Sequence, residues 1–381
     1  MKRFFNFAFL LTLILGVAAF YVGSRINNWL ELSLGWSIIT YIILGLSVFF
    51  QISSFLFYRL YSNFFGPKSS VIFNYLSYLT LGIFTSLFIY VLVADIIVIF
   101  WSLLIGWVNY KLVFWIVTSI VISSAIIGIL QTIFGPKIYK IDIKIAGLPK
   151  SFDGFTIAQI SDLHVGPVIG KKYAQKIVDV TNKLNPDIIA LTGDMIDGTT
   201  YQLRTKIAPI ANLKAKNGIY FVPGNHEYYW DAISWIKEFS KLGAQCLINQ
   251  NYLISKNNEQ ILIAGITDYD AGWMIEGHAP NAKKAAENKL GPFIKILLSH
   301  QPKSYKEAEE AGFNLQLSGH THGGQFFPWS LIVSLAQPYY KGLGRYKNMW
   351  IYTNRGTGFW GPPFRFGVPS EITLIKLKKS T

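Results

Sequence analysis

Four long apolar stretches occupy the first third of the chain, at residues 4–24, 34–58, about 72–100 and 112–134. A helix that crosses a membrane needs roughly 20 predominantly apolar residues, and each stretch meets that length. Residues 1–134 contain six basic and two acidic side chains, whereas residues 135–381 contain 29 basic and 19 acidic ones. The sequence therefore predicts a multi-pass cell-membrane protein with a transmembrane region of about four helices at 1–134 and a soluble domain at 135–381.

Basic residues beside the apolar stretches predict how the helices are oriented. Lys2 and Arg3 precede the first stretch, Arg59 and Lys68 flank the second connection, and a series of lysines begins at Lys137. Because basic residues favour the cytoplasmic side, both termini and the soluble domain are expected in the cytoplasm. A cleaved first segment would instead place the domain outside, but no convincing A-x-A cleavage site follows that segment.

Residues 135–381 show short strand patterns that alternate with helix patterns, which is typical of an α/β domain. The predicted strands are 137–145, 155–162, 187–194, 218–227, 251–257, 260–268, 293–301, 313–322, 349–356 and 371–379. Helices are predicted at 171–184, near 201–215, after a capping Asp231, near 281–290, and in a Glu-rich segment before residue 313.

The soluble part holds all six histidines of the chain, and five of them lie at the ends of predicted strands. The motifs are "ISDLHVG", "LTGDMIDG", "VPGNHEYY", "LLSHQP" and "LSGHTHGGQ". They supply Asp162, His164, Asp194, Asn225, His226, His300, His320 and His322. Open α/β sheets bind ligands beyond the carboxyl ends of their strands, so these side chains are expected to lie together.

Imidazole, carboxylate and amide donors without thiolate suit manganese, iron or zinc. Each motif alone is weak evidence, because a short Asp-x-His segment also occurs in surface turns and a buried histidine is often paired with a carbonyl group. The motifs gain weight together because they occupy equivalent strand ends. We therefore favour a metal site over five unrelated polar loops.

In this order, D-x-H, GD-x-x-D, GNHE, a single His and GHTH, the motifs resemble those of the calcineurin-like metallophosphoesterase superfamily. "GHTHGGQ" and the tail "NRGTGFWGPPFRFGVPSEITLIKL" further resemble a membrane-attached bacterial branch that contains UDP-2,3-diacylglucosamine hydrolase-like enzymes. The resemblance covers about residues 138–378. It implies a four-layer α/β/β/α sandwich that follows the transmembrane helices in the chain.

The resemblance also implies two divalent metal ions, manganese, iron or zinc, and a role for each motif residue. Asp162, His164 and His322 would hold one ion, and Asn225, His300 and His320 the other. Asp194 would bridge the two ions, and His226 would act as a general acid at the leaving oxygen. Together the ions would activate a water for displacement at phosphorus.

Several further residues have more than one interpretation. Asp197 could orient a metal-bound histidine or cap a turn, and His278 belongs to no motif. Arg355 and Arg365 could bind a substrate phosphate or form surface ion pairs. Asp95, the one acid inside a predicted span, could have a function within the membrane, or it could lie near the membrane interface or bond to Gln51 or Gln131 on neighbouring helices.

The main functional hypothesis is a membrane-anchored phosphohydrolase that acts on a lipid-linked substrate and belongs to lipid metabolism. The apolar segment 326–333 beside the last motif could be part of the core, or it could be an exposed lip that contacts the bilayer or an acyl chain; only the second would suit a lipid substrate. One alternative is a phosphodiesterase for a soluble nucleotide or cyclic nucleotide, and another is a catalytically silent sensor or scaffold. No nucleic-acid partner is expected, because the basic residues form no stripe interleaved with aromatic residues.

Overall fold

The structure, a computed structural model, describes the backbone of residues 2–64, 66–287 and 294–380. Side chains are described for the same residues except 2–8, 54–64 and 66–70, so the side chains of Lys2, Arg3, Arg59 and Lys68 lie outside the described set. The chain divides into two compact units. The first contains 1–130 with the short segments 326–329 and 361–367, and the second contains 131–325, 330–360 and 368–381.

The first unit is built from long apolar helices. They are α1 (Lys2–Leu30), α2 (Leu34–Phe64), α3 (Gly66–Ile105) and α4 (Tyr110–Phe134). Each contains a stretch long and apolar enough to cross a membrane, namely Phe9–Leu30, Leu34–Ser53, Val71–Ile105 and Tyr110–Phe134. Many Leu, Ile, Phe and Trp side chains on these helices are exposed, as expected of a surface that faces lipid rather than water. The predicted four-helix membrane region is confirmed.

Asp95 on α3 bonds to residues of α1 rather than to a glutamine, which corrects the expected partner of this residue. The Nε of Arg25 lies 2.6 Å from Asp95 Oδ2, and the hydroxyl of Tyr21 donates a hydrogen bond to the same oxygen. Asp95 is buried, and the Arg25 guanidinium also lies 5.7 Å from the centre of the Tyr21 ring. A carboxylate in an apolar environment is stabilised by such a partner, so this trio ties α1 to α3.

Segment 361–367 packs within the first unit, which the apolar pattern of the sequence did not predict. The buried side chain of Phe364 packs against Gly82 and Gly128. A Cβ added to Gly82 would stand 2.1 Å from Phe364 Cε1, and one added to Gly128 would stand 2.9 Å from Phe364 Cβ. The Arg365 N–H donates to the Gly128 carbonyl, 3.1 Å away. Glycine is needed at both helix positions because any side chain would occupy the space of this ring.

The second unit contains two six-stranded sheets. The first has the order β1-β12-β2-β3-β4-β5, with β1 Lys137–Ile145, β12 Glu371–Lys379, β2 Thr156–Ile160, β3 Ile188–Thr192, β4 Ile219–Val222 and β5 Gln245–Cys246. The second has the order β10-β11-β9-β8-β7-β6, with β10 Gly342–Tyr346, β11 Met349–Thr353, β9 Leu315–Ser318, β8 Ile294–Leu298, β7 Glu259–Gly265 and β6 Gln250–Lys256. Strands β2, β3 and β4 pair in parallel, as do β7, β8 and β9.

Three buried apolar clusters define the layers of this unit. Residues from both sheets, among them Ile157, Ile188, Ile263 and Ile296, form one central core. The outer face of the first sheet is covered by α5 (Lys171–Asn182), α6 (Thr200–Ile207) and α8 (Ala232–Lys241), and that of the second by α9 (Ala282–Ala286) and α10 (Tyr305–Glu310). The four-layer α/β/β/α sandwich implied by the resemblance is confirmed.

Most predicted elements occur; β1 and β12 have the predicted bounds, and several others are shorter. The helix predicted near 201–215 ends at Ile207 and continues as a 3-10 turn, Ala208–Asn212, because Pro209 lacks the N–H that an α-helix needs. The helix predicted near 281–290 ends at Ala286, because Glu287 is extended, and residues 288–293 lie outside the described set. Asp231 caps α8 as predicted, accepting from the Ser234 N–H at 3.2 Å. Strands β5 and β10 and helix α11 (Trp329–Ala336) were not predicted.

Candidate metal centre

The site lies where five parallel strands end. Loops after β2, β3 and β4 carry the first three motifs, and α7 (Asn225–Tyr229) begins within the third. Loops after β8 and β9 carry the other two motifs from the second sheet. The two sheets pack face to face, and the carboxyl ends of these strands lie at the same edge. The motif side chains therefore converge on one small volume. The structure thus brings together all eight predicted ligand and catalytic residues of the motifs.

One cluster contains Asp162, His164 and His322, whose ligand atoms all lie within 4.8 Å of one another. The Nε2 atoms of His164 and His322 are 3.0 Å apart, and His322 Nε2 is 3.5 Å from Asp162 Oδ1. All three side chains are buried. Two ring nitrogens this close must share a proton or a cation, so the arrangement suits a metal ion.

A second cluster contains Asp194, His300 and His320. His300 Nε2 lies 3.1 Å from Asp194 Oδ2, and His320 Nδ1 lies 3.3 Å from His300 Nε2. Asn225 joins this cluster, since its Oδ1 is 2.9 Å from His320 Nδ1. Asp194 also reaches the first cluster, with its Oδ2 4.0 Å from His164 Nε2. A carboxylate placed between two groups of histidines can bridge two cations.

Asp197 links His164 and His226. The Nδ1–H of His226 hydrogen bonds to Asp197 Oδ1, while His164 Nδ1 lies 3.1 Å from Asp197 Oδ2. The orienting interpretation of Asp197 agrees with this geometry, and the contact to His226 was not predicted. A carboxylate on Nδ1 fixes the ring orientation and directs Nε2 toward the cluster.

Backbone strain is concentrated at these residues. Asp162, His164, Asp194, His320 and His322 all have positive φ angles, between 51° and 70°. Non-glycine residues seldom adopt this region, and where they do the strain often accompanies a functional site. Close backbone approach is also required: a Cβ on Gly319 would stand 1.9 Å from Ser161 Oγ and 2.2 Å from Asp162 Oδ2.

Glu227 holds the backbone of two loops that carry site residues, a role that the sequence analysis did not predict. Its carboxylate is fully buried and accepts hydrogen bonds from the N–H groups of Gly224, Asp194 and Met195, at 2.7, 2.8 and 2.8 Å. Burial raises the pKa of Glu227 to about 8, with Asp194 adding to the shift. The final letter of the "GNHE" motif was the available signal, because a carboxylate three residues beyond a glycine is well placed to cap a short helix.

Charges within the site are strongly coupled. Burial raises the pKa of Asp162, whereas at Asp194 burial is outweighed by His300 and His226, which hold the pKa well below its usual range. Burial lowers the pKa of His300, but Asp194 and Asp162 outweigh burial and keep it well above the usual value. Burial and His300 lower the pKa of His320 to about 3. A cation can therefore replace the proton that lies between His300 Nε2 and Asp194 Oδ2.

The donor set fits divalent metal ions. Histidine nitrogens, two carboxylates and one amide oxygen converge without any thiolate, which suits manganese, iron or zinc. Burying unpaired carboxylates is unfavourable, and so is the close approach of the His164 and His322 ring nitrogens. Cations bound in the two clusters would offset both costs. These side chains are consistent with a pair of ions.

Arg355 and Arg365 are not among the clustered side chains. Arg355 Nε lies 3.5 Å from the buried Glu371 carboxylate, and its guanidinium lies 4.5 Å from the centre of the Tyr139 ring. Arg365 is fully buried and belongs to the first unit. His278 bonds through Nδ1 with the Tyr228 hydroxyl at 3.0 Å, as expected of a loop histidine outside the motifs.

Comparison with known proteins points to one family. Residues 155–324 match the family model for calcineurin-like phosphoesterases. A "Transmembrane protein with metallophosphoesterase domain" from Danio rerio is 34% identical over 274 residues, which cover 69% of this chain and 63% of that protein. Uncharacterized metallophosphoesterases of Bacillus subtilis and Aquifex aeolicus are 30% and 31% identical over 246 and 251 residues. Those regions cover 62% and 64% of this chain, and 84% and 92% of the relatives.

Coverage of the longer relatives is partial. The match spans 63% of the Danio rerio protein and 60% of a Bos taurus protein with the same name, to which this chain is 35% identical over 265 residues. The bacterial relatives from Bacillus subtilis and Aquifex aeolicus are matched over most of their length.

Proposed function

The chain belongs to the calcineurin-like phosphoesterase family, and from that premise we propose that it hydrolyses a phosphoester or pyrophosphate bond of a lipid-linked substrate. Membership makes it a metal-dependent hydrolase that uses two divalent ions, and four helices make it a membrane protein. The observation that carries the proposal is the position of Asp194, within 4.0 Å of a histidine of each cluster.

Each clustered residue receives a role in this proposal. Asp162, His164 and His322 would hold one ion, Asn225, His300 and His320 would hold the other, and Asp194 would be shared by both. When bound, such an ion pair lowers the pKa of a water and stabilises charge on phosphorus oxygens. Asn225 suits its position because an amide oxygen can ligate without adding negative charge.

His226 is the proposed general acid. Its ring lies at the edge of the cluster, with Nε2 3.8 Å from Asp194 Oδ2 and Nδ1 held by Asp197. Burial lowers the pKa of His226, but the carboxylates of Asp197 and Asp194 outweigh burial and raise it to about 9. These carboxylates favour the protonated ring, which could donate that proton to a departing oxygen.

A lipid-linked substrate is supported by the apolar helix that follows the last motif. α11 begins seven residues after His322, and its Leu331, Ile332 and Leu335 side chains are exposed. Exposed apolar groups on a membrane protein favour contact with lipid. The UDP-2,3-diacylglucosamine hydrolase-like branch remains a proposal that rests on the "GHTHGGQ" segment and the tail. The cytoplasmic location of the domain rests on the basic residues alone.

The test is hydrolysis by the full chain in detergent, with added Mn²⁺ or with chelator, on a soluble aryl phosphodiester, a UDP-linked lipid and a phosphatidyl lipid. We expect metal-dependent turnover that is lost in Asp194→Asn and retained in Asp179→Asn, an exposed carboxylate on α5. Faster turnover of the soluble diester than of either lipid would favour the nucleotide alternative. Bound metal without turnover of any substrate would contradict the enzyme proposal and favour a sensor.

A further inference from the structure

Two aromatic side chains adjoin His226 and remain exposed. The ring centre of Tyr229 lies 5.2 Å from that of His226, and the ring of Trp360 lies 5.8 Å away with its plane at 76° to the imidazole. Tyr229 is 57% exposed and Trp360 55% exposed. Side chains of this size usually bury most of their surface, so two such rings beside one polar histidine call for a ligand.

Both rings are fixed by the loops that carry the metal-site residues. Tyr229 ends α7, the short helix that begins at Asn225. The backbone of Trp360 is tied to Gln325, because the Trp360 N–H donates to Gln325 Oε1 at 2.9 Å and Gln325 Nε2 donates to the Trp360 carbonyl at 2.8 Å. Gln325 is buried and lies three residues after His322. The polar bonds thus hold the backbone while leaving the indole open.

Neither ring is part of the apolar core of its unit. Among the described residues, Trp360 and Tyr229 are absent from the six buried clusters and from the partly buried residues packed against them. Their exposure beside the proposed general acid instead suits contact with a molecule from solution.

We infer that Tyr229 and Trp360 form the subsite for the leaving group, and that this group carries a ring with a flat face, either a nucleobase or a sugar. The inference rests on the proposed function, because it takes His226 as the proton donor to the leaving oxygen. The atoms attached to that oxygen must then lie beside His226, where the two rings are. Aromatic side chains stack on bases and on sugar faces without needing a particular hydrogen-bond pattern.

The inference can be tested by binding, without turnover. The full chain in detergent with Mn²⁺ is titrated with adenosine 5′-monophosphate, glucose 1-phosphate and glycerol 3-phosphate, of which the last has no ring. Trp360→Leu and Tyr229→Leu are compared with Trp273→Leu, which removes an indole that is 92% exposed in a different turn. We expect each of the first two variants to bind one ring-bearing probe about tenfold more weakly and glycerol 3-phosphate unchanged.

The pattern of losses identifies the ring. A loss confined to the adenosine probe assigns a nucleobase, and one confined to the glucose probe assigns a sugar. Equal weakening of all three probes, or no weakening of any, overturns the inference, as does failure of the wild-type protein to bind either ring-bearing probe. Because Asp194→Asn hydrolysis is measured separately, failure of the proposed reaction and failure of this subsite give different results.

Discussion

The backbone of Gly224 lies against the carboxylate of Asp194, so that a Cβ at residue 224 would stand 2.2 Å from Asp194 Oδ1. This distance is well inside van der Waals contact. The carboxylate has little room to retreat, because His226 N–H donates to the same oxygen at 2.8 Å and His300 lies on its other oxygen. The glycine of "GNHE" thus permits the bridging position of Asp194.

Gly224→Ala is accordingly expected to displace Asp194 and weaken metal binding by about 10- to 100-fold, as changes behind a metal ligand commonly do. Bound metal per chain, measured after dialysis against graded Mn²⁺, checks this. Gly170→Ala is the control, since a Cβ there meets nothing within 4 Å and φ is −106°. Equal metal content in the two variants would contradict the steric argument.

Asp197→Asn is expected to reduce hydrolysis about 100-fold and to move the basic limb of the pH–rate profile to lower pH. The Asp197 carboxylate helps raise the pKa of His226 to about 9, so removing its charge lowers that pKa. The protonated acid is then lost at lower pH as pH rises. Rates between pH 6 and 10 measure the shift. A basic limb that does not move would exclude His226 as the group that titrates there.

The motif positions could be predicted from the sequence because each follows a strand, and a strand is recognisable from local periodicity. The contacts that complete the site could not. Trp360 reaches His226 across 134 positions, and no local pattern records that pairing. Strand β10, "GLGRY", lacks alternating apolar residues and is defined only by its pairing with β11. Glu227 is the last residue of the "GNHE" motif and could have been singled out, but its three hydrogen bonds to backbone N–H groups are visible only in the folded loop.

The same limit explains the membrane region. Hydropathy was enough to find four helices, but the partner of Asp95 depends on how α1 and α3 pack, and Arg25 is 70 positions away. Gln51 and Gln131, the partners that the sequence offered, both lie within predicted spans. Arg25 lies just beyond the first apolar stretch, 4–24, whereas α1 continues to Leu30.

Asp95→Asn is expected to destabilise the helical unit by about 1 kcal/mol, a typical value for a polar contact between membrane helices. The estimate is kept small because Arg25 is partly exposed. Thermal unfolding in detergent, run as a double-mutant cycle with Arg25→Gln, measures the coupling. Glu31→Gln is the control, because Glu31 and Lys111 form an exposed pair at 3.4 Å. Additive effects of the two substitutions would show that the contact is not formed.

Cys246, the chain's single cysteine, is expected to react slowly with thiol reagents near neutral pH. Burial raises the pKa of its thiol, and the Sγ lies 3.3 Å from Ser240 Oγ. Because the folded-state pKa is raised, the thiol stays protonated at neutral pH. The stability that the protonated thiol contributes is fully present below the unfolded-state pKa and is lost as pH rises from there through the folded-state pKa. Alkylation rates from pH 7 to 10, with and without denaturant, test this. Similar rates in both conditions would contradict it, with Cys246→Ser as the blank.

Leu331→Ser with Leu335→Ser tests whether α11 contacts lipid. Leu335 is 90% exposed and Leu331 is exposed as well, so replacing them removes little packing from the soluble unit. If they insert into the bilayer, losing two apolar groups should reduce hydrolysis of a vesicle-borne lipid substrate about tenfold while leaving a soluble ester unaffected. Tyr201→Ser, which removes another exposed apolar side chain, should change neither rate. A parallel fall on both substrates would mean that α11 supports the metal loop rather than the membrane contact, because only a lipid-facing role separates the two rates.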